Sequence, residues 1–178
     1  MSKMSISQGL RRIKKLKGRM GELNARAAGS VSYEKGKPPA FAFQATRDEL
    51  VTIREELVTL EASVARANAV TEIECDGKRL TLAEAVRRLQ ECKAEMTWLA
   101  SLHLRTGVEQ QREHVYDEQS GRSQVVKIDR EYVAELTEVE RAAELETLRG
   151  RFERLNDAVE TANHLTPVDW RAPDKASA

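Results

Sequence analysis

Three features of this 178-residue chain could do chemistry: a basic run, three histidines and a thiol among carboxylates. The run Arg11-Arg-Ile-Lys-Lys-Leu-Lys-Gly-Arg19 lies within residues 1–28, which hold eight Lys/Arg against one Glu. A helix so charged can grip phosphates, with an affinity that falls steeply as salt rises. The same charges can also pair inside the protein. Residues 129–163 carry ten acidic and five basic side chains, and residues 44–70 carry five and three. With Ile13 and Met20 at heptad position a, Arg12, Lys17 and Arg19 flank the first apolar seam; Glu49, Glu56 and Glu61 flank the next one. Arg11, Lys14 and Lys15 then point outward as the candidate interaction residues of this helix.

His103, His114 and His164 show no metal-ligand spacing. His103 falls on a core stripe near a helix end, and His164 follows the Asn163 cap, where a helix dipole favours positive charge. Glu72, Glu74, Cys75 and Asp76 lack the converging loop that a hard-oxygen site needs, and no base is placed beside the thiol. Glycine-rich phosphate loops, G-x-S-x-G and H-E-x-x-H are absent. No catalytic residue, metal site or cofactor is expected, and the chain reads as a non-enzyme. Cys75 and Cys92, 17 residues apart with no second pair, read as reduced thiols rather than a disulfide framework. Arg112, His114, Tyr116 and Arg122 lie in or beside two weakly alternating segments, 112–117 and 123–128, which predict a small β-hairpin. That hairpin, within residues 105–128, and the loop 29–43 are the expected recognition elements.

Positioning these residues falls to helices. Aromatics make up 4% and charged residues 33%, with only 9 Gly and 4 Pro, a composition suited to long amphipathic helices. Seven-residue apolar spacing predicts helices over 5–28, 44–68, 81–103 and 129–163, with a change of frame near residue 143. Ser5…Gln8 and Thr81…Glu84 are capping boxes, and Asp76-Gly77 is a tight turn between Ile73 and Leu80. At an offset of 76, the stripe Ile6, Gly9, Ile13, Leu16, Met20, Leu23 falls on Leu82, Ala85, Leu89, Cys92, Met96, Leu99. At an offset of 95, Leu60, Val64, Ala67, Asn68 and Thr71 recur identically as Leu155, Val159, Ala162, Asn163 and Thr166. Asn68 and Asn163 read as helix C-caps, or as polar contacts that fix register. The expected fold is all-α: two duplicated antiparallel hairpins, 5–73 and 81–168, forming a four-helix bundle or coiled coil. One domain, 1–170, carries the small β-hairpin between helices three and four, and 171–178 forms a flexible tail.

Residues 76–85, Asp-Gly-Lys-Arg-Leu-Thr-Leu-Ala-Glu-Ala, and 155–166, Leu-Asn-Asp-Ala-Val-Glu-Thr-Ala-Asn-His-Leu-Thr, resemble an uncharacterised bacterial family of small helical proteins, sometimes labelled septicolysin-like. The resemblance spans most of 5–168 and implies a helical bundle with a small β element. The label hints at lysis, but residues 1–8 carry no secretory leader and no stretch is apolar enough to span a membrane. A cytoplasmic assembly or adaptor protein is expected, acting through helical protein–protein contacts and self-association as a dimer or higher oligomer. The alternative is a nucleic-acid-associated accessory protein using the basic first helix. Equal totals of 29 basic and 29 acidic residues disfavour it.

Overall fold

The computed structural model describes residues 4–118 and 121–173. In order these form β1 (Met4–Ser5), α1 (Ile6–Ser30), α2 (Phe43–Val70), β2 (Glu72–Cys75), β3 (Lys78–Thr81) and α3 (Leu82–Ser101). There follow β4 (Gly107–Asp117), β5 (Arg122–Tyr132), α4 (Glu138–Leu165) and β6 (Pro167–Val168). Two compact units divide the chain: one comprises the residues up to Gln90 and from Glu153 onward, the other Glu91–Phe152.

In the first unit, Ser5 starts α1 with a complete capping box. Its hydroxyl accepts from the Gln8 N–H at 3.3 Å, and its own N–H donates to Gln8 Oε1 at 2.9 Å. The stripe behind this cap buries Ile6, Gly9, Ile13 and Leu23 against Leu57, Leu60 and Val64 of α2 and the Leu23–Leu50–Ile53 cluster. Gly9 permits the close approach: a Cβ there would lie 3.1 Å from Val64 Cγ2. Ion pairs border this seam, Arg12–Glu56 at 2.6 Å, Lys17–Glu61 at 2.8 Å and Arg19–Glu49 at 2.9 Å. Leu80, Leu82, Ala85, Leu155, Val159 and Val168 complete the core, each large apolar side chain contributing about 1.5–3 kcal/mol by burial.

The unit contains two copies of one junction. The Ile6 N–H donates to the Thr166 carbonyl at 3.0 Å, and the Leu82 N–H to the Thr71 carbonyl at 2.7 Å. Met4 and Ser5 pair antiparallel with Val168 and Pro167; Leu80 and Thr81 pair with Ile73 and Glu72 in the same register. Both sets follow the offsets of 76 and 95. The second junction is closed by Asp76 and Gly77, both at positive φ, the conformation of a two-residue hairpin turn.

In the second unit, Cys92 Sγ donates to the Leu148 carbonyl at 3.4 Å and Arg141 to that of Leu102 at 2.7 Å, pairing the end of α3 with the start of α4. Thr137 and Glu140 form a complete capping box like that of Ser5 and Gln8; at Thr81 only the hydroxyl half forms, accepting from the Glu84 N–H. Strands β4 and β5 run antiparallel from Gly107↔Tyr132 to Asp117↔Arg122. No third strand joins them among the described residues.

These elements correct the all-α expectation. The described chain is about 60% helix and 20% strand in three antiparallel two-stranded sheets, a mixed α/β fold. The region expected to open helix four at residue 129 is strand through Tyr132, and α4 begins only at Glu138. Of the upstream frame Tyr132, Leu136, Val139 and Ala143, the first two residues precede the helix. Asn68 and Asn163 are not C-caps, because α2 runs to Val70 with Thr71 as its cap and α4 runs to Leu165. His103 is exposed beyond the end of α3, not on a core stripe. Of the expected tail, residues 174–178 lie outside the described residues.

Candidate functional site

The β4–β5 register divides the ribbon into two faces. Val108, Gln110, Arg112, His114 and Tyr116 share one face with Ser123, Val125, Lys127, Asp129 and Glu131. Every residue of that face is exposed, Val108 by 66%, Tyr116 by 65% and Val125 by 55%. The opposite face is tied down by its own side chains. Arg105 stacks over the Tyr132 ring at 3.8 Å, Gln111 Nε2 donates to the Tyr132 hydroxyl at 2.7 Å, and Arg105–Glu109 and Arg130–Glu113 are ion pairs. The hydrogen bond from Arg105 holds the Glu109 carboxyl below the usual carboxylate range. The ribbon is thus locked at its base and open on one broad face.

Three of the four hairpin residues singled out in the sequence, Arg112, His114 and Tyr116, come together on the open face. Arg122 falls on the other face, opposite Asp117 near the turn. Across the strands Arg112 sits directly opposite Lys127, and like charges so placed repel. His114 faces Val125, and Gln110 Nε2 donates to Asp129 Oδ1 at 3.2 Å. Cations and apolar groups at the middle and tip thus share one face with carboxylates at its base.

On α1, Arg11, Lys14 and Lys15 are exposed and have no ion-pair partner among the described residues. Arg11 and Lys15 line a groove with Met4, Leu16 and Gln8. Arg11 and Lys14 line another with Glu160, Asn163 and His164. Asn68, half-buried within α2, has a side-chain oxygen shielded from solvent and without a hydrogen-bond partner. The loop after α1 exposes Val31, Tyr33 and Phe41, with Arg26 over the Phe41 ring at 4.6 Å.

Reading by stripes missed Trp98 and Trp170. Trp98, exposed, lines a groove with Glu95, Leu99, Ala143 and Leu148; its place off the Leu82–Leu99 stripe is a signal the sequence carried. Trp170 donates to Thr59 Oγ1 at 3.2 Å beneath Arg12, 4.8 Å from the ring. Burial pushes the Cys92 thiol above its ordinary pKa, the reverse of an activated nucleophile. Among the described residues, no group of three or more His, Cys, Asp and Glu could hold a metal ion, and no helix is long and apolar enough to cross a membrane.

No protein-family model and no curated protein matches the chain. A crystal structure of a functionally unknown conserved protein from Corynebacterium diphtheriae is similar. It aligns over 94% of this chain and 99% of that one, with a TM-score of 0.71 and 20% identity. At that identity the likeness establishes a shared fold.

Proposed function

We propose that the chain is a cytoplasmic, non-enzymatic assembly or adaptor protein. It acts through protein–protein contacts, first of all with copies of itself, and the β4–β5 ribbon is the contact element. We also place it beside the septicolysin-like helical proteins. The observation that carries the reading is the open ribbon face with Val108, Tyr116 and Val125 exposed. An isolated two-stranded hairpin is marginal in water, and stability comes when a third strand or another layer covers it. Free edges and exposed valines make it a template for another chain.

Charge favours a second copy. Antiparallel pairing of β5 with its copy, centred on Ile128, sets each Lys127 opposite the copy's Asp129, relieving the repulsion from Arg112. Sedimentation velocity from 1 to 100 micromolar, as an order-of-magnitude range, tests this. The wild type is expected to shift toward a dimer or larger species, and Tyr116→Ser/Val125→Thr to stay monomeric. A wild type that sediments as a monomer throughout would remove self-association.

A second reading rests on Arg11, Lys14 and Lys15, solvent-facing and unpaired among the described residues: an accessory protein that holds nucleic-acid phosphates. Its test is a gel shift with Lys14→Glu/Lys15→Glu. Salt-sensitive binding lost in the variant supports it, and no binding by the wild type ends it.

A further inference from the structure

The first turns of α1 border a groove of about 640 Å³, lined by Met4, Gln8, Arg11, Arg12, Lys15, Leu16, Arg19 and Glu56. A groove of this size suits a small molecule better than a single ion. Its apolar wall is Met4 and Leu16, both half-buried and packed on the hydrophobic core. The rest is cationic. Arg12 is engaged by Glu56, and Arg19 by Glu49 and Glu22. These pairs fix two guanidinium groups at the wall. Arg11 and Lys15 are not so engaged, and Gln8, whose Oε1 caps Ser5, keeps its amide N–H groups as donors. With Arg12 and Arg19 so paired, Arg11 and Lys15 are the cations of this lining without an ion-pair partner among the described residues, and they lie beside an apolar surface.

We propose that this groove binds a small amphipathic organic anion, with a carboxylate or phosphate head held by Arg11 and Lys15 and an alkyl or aryl body laid along Met4 and Leu16. This inference is independent of assembly through the ribbon. Part of the cationic lining belongs to the first half of the chain alone. At an offset of 76, Lys15 and Arg19 fall on Glu91 and Glu95, and at an offset of 95 Glu56 falls on Arg151. Arg11 and Arg12 recur as Arg87 and Arg88, so the apolar scaffold tolerates inverted charge at Lys15, Arg19 and Glu56, and packing of the hairpin does not demand a cation at position 15. Trp170 supplies the readout, because its ring lies under Arg12, one of the lining residues.

The test is a fluorescence titration of Trp98→Phe, which leaves Trp170 as the only tryptophan. Decanoate is the probe, with decanol and inorganic phosphate as its two halves. Decanoate is expected to change the Trp170 signal saturably, and each half to bind at least about tenfold more weakly. Arg11→Gln/Lys15→Gln, added to the same protein, is expected to weaken decanoate binding by about tenfold or more, roughly the loss of one charged hydrogen-bonded contact. A thermal melt matching the parent shows that the change is not unfolding. Absence of saturation overturns the proposal, as does decanol or phosphate binding equal to that of decanoate. Undiminished binding by the folded Gln variant overturns it as well.

Discussion

Gly9 marks the closest approach of α1 to α2. A Cβ there would meet Val64 Cγ2 at 3.1 Å and Leu60 Cδ1 at 3.9 Å. Gly9→Leu has no room to repack and is expected to cost about 2 kcal/mol in chemical denaturation, within the range for overpacked cores. Trp170→Ala removes a half-buried ring, its hydrogen bond to Thr59 and the contact with Arg12. A loss of about 2 kcal/mol is expected there, below the roughly 3–5 kcal/mol of fully buried aromatics. The thiols differ in the same physical terms. Cys75 is half-buried and Cys92 buried with its pKa raised, so a thiol reagent is expected to label Cys75 first and Cys92 only on unfolding. Because the folded thiol of Cys92 titrates above the unfolded one, its contribution to stability is complete below the unfolded pKa. That contribution is lost as pH rises toward the folded value. Equal labelling rates in the native protein would contradict this. Single residues were unevenly legible in the sequence. Gly9 was legible as a stripe position matched at an offset of 76 by another small residue, Ala85. Asn68 misled because a C-cap is the common reason for Asn near a helix end, and only coordinates reveal that α2 continues two residues further.

Elements were legible where a local rule and the tertiary structure agree. The seam of α1 and α2 is the clearest case: heptad spacing paired Arg12, Lys17 and Arg19 with the acidic flank of α2, and the ion pairs Arg12–Glu56, Lys17–Glu61 and Arg19–Glu49 follow. These pairs are partly exposed and so are screened by salt. Arg12→Glu or Glu56→Arg alone is expected to lower the melting temperature, and the double exchange to recover most of it. A double variant as unstable as the sum of the singles would contradict the pairing. The start of α4 was illegible for a different reason. Tyr132 and Leu136 fit a helical spacing to the following stripe, yet the polar alternation of residues 122–132 belongs to β5, whose exposed face lacks the apolar run that announces a strand. Thr137 opens the helix, and hydrogen bonds from its backbone N–H and then its hydroxyl lower the Glu140 pKa. A lowered carboxyl pKa adds stability above the unfolded value, about 4.3, that disappears as pH falls through the folded one. Slow amide exchange at the start of α4 near neutral pH, giving way to faster relative exchange below that range, is the expected result; Thr137→Ala should abolish the difference.

At the scale of the molecule, the two junctions share their strand register and the hydrogen bond that starts the following helix, while the connections between the helices differ. Residues 31–42 join α1 to α2; at the corresponding place between α3 and α4, residues 102–137 contain the β4–β5 ribbon. The halves therefore differ chiefly by one inserted element whose open face holds Arg112, His114 and Tyr116. Such an element adds little to the core of a monomer and suits contact with another chain. Assembly through it is tested most directly by light scattering on wild type, Lys127→Asp, and Lys127→Asp/Asp129→Lys at equal concentration. Pairing of β5 with its copy predicts a wild-type mass of twice the 20.0 kDa chain or more, a monomer for the single variant and recovery of the assembly in the double exchange. A wild-type mass of 20.0 kDa at every concentration, or a single variant as associated as the wild type, would contradict it.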